Sequence, residues 1–271
     1  MPELFLKSLT VIKQKGIFQF LKKTLEYVHF KTLGQIDLFL FKKHKWSVIQ
    51  LWMFNKLFYY VLSLLALKEG EHQIGRFISL NKIFKEIKNR GLSGDIIEFG
   101  SYQGFSLYWL SKFRDKYGLK ARIIGIDSFE GLPETSTVWQ KGKFNDTSFE
   151  QAVLNVTKAL AIAKLEDKNI IILKGLFNDQ NIISSVKKNC KKAVLVHIDC
   201  DLGSSSDHAL KLIDTLELSD TWFLLFDDWG CHPDEIPESF DRYYDSCKYL
   251  YSIEQYLRTD MTNYFIVNRK P

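Results

Sequence analysis

Val194-Leu-Val-His-Ile-Asp-Cys-Asp-Leu-Gly-Ser-Ser-Ser206 is the stretch on which the reading of this chain turns. Residues 194–198 form a short apolar run rich in β-branched side chains, which predicts a buried strand. The run ends in two carboxylates, Asp199 and Asp201, and then opens through Gly203 into three serines suited to starting a helix. Strand alternation sends both carboxylates the same way at the strand's carboxyl end, where open parallel sheets hold their ligands. A second apolar run, 221–226, ends in the same manner at Asp227 and Asp228. Acidic residues often do no more than solvate strand ends and cap helices. Two pairs on neighbouring strands, however, would gather four charges on one rim, and a divalent cation bound by oxygen ligands is their natural neutraliser.

Outward from that stretch, residues 94–271 read as alternating strands and helices. Strands are expected at 95–99, 122–126, 169–173 and in the two runs above, with helices near 105–117, 149–164, 180–189, 206–216 and 237–245. A final strand pair, 248–256 and 263–267, suggests a partly antiparallel edge. Sequential βα units with short connections predict a doubly wound α/β sheet.

The front of the chain differs in character. Residues 1–90 hold 16 Lys and Arg against 6 Asp and Glu, whereas the remainder holds 21 against 26, so the +5 net charge conceals a +10 front and a −5 body. Residues 1–45 read as basic amphipathic helices, 46–67 as the most apolar segment, and 78–90 as one more amphipathic helix stopped by Gly91. Gln50, Asn55 and Lys56 interrupt the apolar segment, and a central Lys costs roughly 2.5–3.5 kcal/mol in a spanning helix. The segment is therefore expected to pack on the domain, on a second copy in a homo-oligomer, or along a membrane surface. The division expected is a helical extension, 1–90, followed by the α/β domain, 91–271.

Composition limits the partners. The acidic body argues against nucleic acid. Cys190, Cys200, Cys231 and Cys247 show no CxxC spacing, which speaks against zinc and for a reducing, cytoplasmic setting; the basic front is suited to the inner face of a membrane. The N-terminus carries no signal-peptide pattern.

The first βα turn is Glu98-Phe-Gly-Ser-Tyr-Gln-Gly104. Two glycines let the backbone approach a ligand at a helix N-terminus, but the middle glycine of GxGxxG is missing, so the turn alone is a weak nucleotide signal. A carboxylate at Glu98 repels pyrophosphate and favours an ammonium or sulfonium group. Asp127 ends the second strand, where a carboxylate can accept from both hydroxyls of a ribose.

Glu98-x-Gly100-x-x-x-Gly104, Asp127-Ser-Phe-Glu-Gly-Leu-Pro133, Gly175-x-Phe177, His197-Ile-Asp-x-Asp-Leu202 and Asp227-Asp-Trp229 together resemble the macrocin O-methyltransferase family over residues 94–245. The resemblance implies a Rossmann-like class I methyltransferase fold, S-adenosylmethionine, a divalent metal such as Mg²⁺, and a sugar or polyol hydroxyl as acceptor. It implies cofactor contacts from Glu98, Gly100, Ser101, Tyr102, Gly104, Ser106, Asp127, Ser128, Phe129, Gly175 and Phe177, with Phe129 and Ser128 at the adenine. Asp199, Asp227 and Asp228 map onto the metal ligands and Asp201 onto the general base; the residues by themselves give four converging carboxylates without choosing a base. Leu202-Gly203 replaces the family's usual Leu-Tyr, and 230–238 departs from its usual turn; both departures bear on the acceptor.

Among further candidates, His197 inside the central strand reads as core, while His208 and His232 lie nearer the rim. Trp139, Phe144 and Trp229 are candidates for an acceptor wall. Two other readings compete: a glycosyltransferase using Asp199-Cys-Asp201 to hold a metal-bound sugar nucleotide, and a methyltransferase-like fold kept for binding alone.

Overall fold

The computed structural model describes residues 68–163, 169–230, 235–259 and 261–271. The expectations for residues 1–67 and for His232 lie outside them. Contacts divide the chain into two compact units, Met1–Gly75 and Arg76–Pro271, and the second holds the sheet. Among the described residues no helix is long and apolar enough to cross a membrane.

Helix α1 (Lys68–Asn89) leads into β1 (Asp95–Phe99), α2 (Phe105–Lys116), β2 (Ile123–Asp127), α3 (Phe149–Ala163), β3 (Ile170–Lys174) and α4 (Gln180–Asn189). Then come β4 (Ala193–Ile198), α5 (Gly203–Ile213), β5 (Leu218–Phe226), α6 (Glu235–Cys247), β6 (Tyr251–Arg258) and β7 (Asn263–Arg269). The alternation read from the sequence is present, with element ends shifted by a few residues. α1 begins ten residues earlier than expected, because Gly70 and Gly75 blur the apolar stripe there. Gly91 ends it as anticipated: at φ +64°, it donates to the Lys88 carbonyl while Leu92 N–H donates to that of Ile87.

The seven strands run in the order β3-β2-β1-β4-β5-β7-β6. β1 to β5 are parallel, whereas β7 is antiparallel to both its neighbours. The final pair is thus not a simple added edge: the last strand in sequence inserts between β5 and β6. Burial explains the choice. The first five residues of β7 are all buried, while β6 alternates between half-buried and exposed residues and carries Glu254, Gln255 and Arg258. The more apolar strand takes the interior and the charged one the edge. β1 and β4 are buried along their whole length. The order reverses between them, and this switch point is where such sheets bind ligands beyond the strands' carboxyl ends.

Candidate active site

The first half of the site is built from the ends of β1 and β2. Glu98 is fully buried; its two oxygens meet His197 Nδ1 and Ser101 Oγ, each at 3.0 Å. Parallel register sets Glu98 beside His197 on β4. Burial works to lower the imidazole pKa, but the hydrogen bond and charge of Glu98 outweigh it and raise it above its ordinary value. His197 is therefore a core residue that pins Glu98, as its place in the strand suggested. The chain then turns back at Gly100 (φ +90°) and Gly104 (φ +80°), and α2 begins. Ser101 and Ser106 are buried within and just after this turn. A side chain at Gly104 would overlap Val156, with its Cβ 2.4 Å from that residue's Cγ2, so this glycine also sets how closely α3 approaches.

Asp127 does more than its strand-end position suggested. Its two oxygens accept from Tyr102 N–H at 2.8 Å and from Phe129 N–H at 2.7 Å, so one carboxylate holds the loops after β1 and β2 together. Burial raises its pKa against the pull of those bonds. With two acceptor sites on each oxygen, the carboxylate keeps room for a further donor. Gly175 N–H donates to the Asp127 carbonyl at 2.9 Å, which brings the β3 loop alongside. Ser128 closes its own turn, accepting from Glu130 N–H and donating to the Gly131 carbonyl. Phe129 is buried edge-on against Phe149, and Phe177 packs edge-on against Phe99. Asp127→Ala is expected to weaken S-adenosylhomocysteine binding by about 10- to 150-fold, the equivalent of one hydrogen bond to a charged group at about 1.5–3 kcal/mol. Calorimetry checks this, and an unchanged Kd removes Asp127 from the cofactor site.

The second half is acidic. Carboxylate oxygens of Asp199, Asp227 and Asp228 lie within 4.8 Å of one another at the ends of β4 and β5. Asp201 joins them through its backbone N–H, which donates to Asp228 Oδ2 at 3.1 Å. Burial and then the charge of Asp227 push Asp199 up to about 7. Burial and then Asp199 push Asp201 up to about 8, and burial with Asp201 lifts Asp228 well above the usual carboxylate range. Such mutual repulsion is relieved by added positive charge.

Part of that charge comes from a residue the sequence reading left aside. Arg76 Nη1 of α1 lies 2.8 Å from Asp199 Oδ2 and 3.0 Å from Asp227 Oδ2. A signal for it was present: Arg76 stands four residues before Leu80, on the stripe that continues through Ile83, Phe84 and Ile87, all buried. A charged residue on a buried face calls for a partner.

The segment after β2 spans both halves. Tyr102 hydroxyl donates to Asp146, Ser204 donates to Glu134, and Thr137 donates to Glu235 at 3.3 Å. Trp139 and Tyr102 each pack edge-on against Phe144. Trp229 is half-buried and packs on Phe226, Phe240 and Phe265 against the edge of the core. His208 lies on α5. Gly203 also has a reason: a Cβ there would sit 3.0 Å from both the Cβ and the carbonyl of Glu235, so the start of α6 fills the space of a side chain. Among the described residues, four non-glycines adopt positive φ, namely Tyr102, Phe129, Phe144 and Asp201, and all four lie in loops that follow β1, β2 or β4. Strained backbone of this kind collects where geometry serves a ligand.

The strand order, with a glycine turn after β1 and a carboxylate at the end of β2, matches the class I methyltransferase fold. Solved structures agree on the fold. The O-methyltransferase NovP superposes with a TM-score of 0.57 at 17% identity, covering 72% of this chain and 81% of its own. The calicheamicin methyltransferase CalS11 gives 0.55 at 17% identity, covering 75% and 81%. Its apo form, described as a TDP-rhamnose 3′-O-methyltransferase, gives 0.52 at 16%, covering 84% and 90%. No curated protein sequence matches. The family model described as macrocin-O-methyltransferase (TylF) matches residues 71–255, and the chain belongs to that family. It is an S-adenosylmethionine-dependent O-methyltransferase, and the glycosyltransferase and binding-only readings fall away.

Proposed function

We propose that the chain methylates a hydroxyl of a sugar or polyol, with a divalent cation such as Mg²⁺ held by Asp199, Asp227 and Asp228 and with Asp201 as general base. The observation that carries this reading is the convergence of four carboxylates beside the cofactor turn. The donor set fits the ion: it is all oxygen, which suits a hard cation, and its members are driven toward protonation without one. A sugar acceptor also accords with the TDP-rhamnose 3′-O-methyltransferase among the structural neighbours.

When bound, the cofactor's sulfonium supplies the methyl group and the cation lowers the pKa of the acceptor hydroxyl. The chain's own residues do the rest. Glu98, held by His197 and Ser101, presents negative charge to the cationic cofactor, and Asp127 keeps the two adjoining loops in register. Asp201 takes the acceptor proton onto its carboxylate as the oxygen displaces the sulfur. Its backbone bond to Asp228 and its left-handed conformation (φ +60°) hold the main chain at Asp201 against the other three aspartates. The segment bearing Trp139 and Phe144 offers aromatic faces on which a sugar ring can stack.

Asp227→Asn and Asp228→Asn are expected to weaken Mg²⁺ binding by about tenfold or more, and EDTA to abolish turnover until Mg²⁺ is returned. Methylation of a panel of sugar nucleotides, glycosylated metabolites and polyols provides the assay. Equal metal loading in both variants, together with activity that survives EDTA, removes the metal from the reading. Transfer confined to acceptors without a sugar or polyol hydroxyl removes the acceptor class.

A further inference from the structure

We propose that Arg76 is a resident counter-cation of the carboxylate cluster, competing with the divalent ion for Asp199 and Asp227 and so setting how tightly that ion is held. This rests on the metal reading above. One guanidinium nitrogen, Nη1, sits within hydrogen-bond distance of one oxygen from each of two residues in the cluster of possible metal ligands. The Arg76 side chain is only 11% exposed and that of Asp227 only 4%, so water screens the contact poorly. The cluster with Asp201 carries four carboxylates, of which Arg76 offsets one; a divalent cation would offset two more.

Two effects of removing Arg76 oppose each other. Losing a positive charge a few ångströms from the ion strengthens the cluster's attraction for it. Losing a group that orients two ligands weakens the site. The backbone decides between them. Asp199 N–H donates to the Phe99 carbonyl at 2.8 Å, and Asp227 N–H donates to the Ile198 carbonyl at 2.9 Å. Asp228 accepts from Asp201 N–H. The strand ends thus fix the backbone from which Asp199 and Asp227 project independently of Arg76, so the ligand-bearing positions stay in place without it and the charge effect prevails. The same contact makes α1 part of the active site rather than a support for it.

The test is titration of the full chain with Mn²⁺, read by the paramagnetic resonance signal of free Mn²⁺, without cofactor or acceptor. Arg76→Gln is expected to bind Mn²⁺ about tenfold more tightly or better, and Arg76→Lys, which keeps the charge, to stay within about threefold of the unaltered protein. Equal or weaker binding by Arg76→Gln, with the unaltered protein still binding Mn²⁺, overturns the role of Arg76 and leaves the metal reading standing. Absence of Mn²⁺ binding in the unaltered protein overturns both. If Arg76→Gln does not fold without an ion, Mn²⁺ is expected to restore a cooperative melting transition, because it supplies the missing charge. Failure to restore one overturns the proposal.

Discussion

Asp201→Asn is expected to lower kcat by about 10²- to 10⁴-fold, the range for removal of a positioned general base, while leaving cofactor affinity close to unaltered. Asparagine preserves the shape of the side chain and the backbone bond from Asp201 N–H to Asp228, but it cannot take a proton. It also tolerates positive φ better than most residues, so the φ of +60° at this position survives the change. The pH profile gives an independent reading. Without a cation, burial and the neighbouring carboxylates push Asp201 up to about 8, so this carboxyl is largely protonated at neutral pH. The kcat of the unaltered protein should therefore rise with pH. Because turnover needs Mg²⁺ and positive charge favours the carboxylate, that rise should be centred below pH 8 in the Mg²⁺-loaded protein. The limb should vanish in Asp201→Asn. A variant with near-normal kcat and the same rising limb assigns the proton transfer to another group.

Gly100→Ala should cost the protein much of its stability. A Cβ at Gly100 would lie 1.6 Å from the Asp199 carbonyl oxygen and 2.6 Å from its carbon, both backbone atoms that cannot swing aside. The φ of +90° adds a conformational penalty of about 1–3 kcal/mol to that overlap. Accommodating the methyl means separating β1 from β4 at the switch point, so the loss should exceed about 4 kcal/mol, or roughly 8–16 °C in melting temperature for a domain of this size. Gly91→Ala is the matched control. It too has positive φ, but a Cβ there meets nothing within 4 Å, so only the conformational cost of about 1 kcal/mol remains. Thermal melting of both variants checks the contrast. Equal melting temperatures would mean that β1 and β4 do not meet at Gly100 as described.

The contrast between these two glycines shows where sequence stops being informative. Both stand in plausible turns, and nothing in the neighbouring residues says that one faces solvent and the other a carbonyl from a strand about a hundred positions away. Local signals did determine much. Largely apolar runs of five or six residues gave the parallel strands, Gly91 gave the end of α1, and Asp199, Asp201, Asp227 and Asp228 announced themselves by closing two such runs. Those features depend on backbone propensity and side-chain period, which are properties of short segments.

Tertiary structure decided what depends on distant partners. It placed β7 inside β6, because two antiparallel strands of similar length differ only in how much apolar surface the rest of the sheet offers them. It packed Trp229 on Phe226, Phe240 and Phe265, partners that no local pattern announces. It showed that Gly203 yields its space to Glu235. And it carried Arg76, which the charge pattern had assigned to a basic extension, into contact with Asp199 and Asp227. A sequence lists charges without their separations. Whether an arginine solvates a helix face or neutralises a buried carboxylate is fixed by a distance of about 3 Å, and only packing sets that distance.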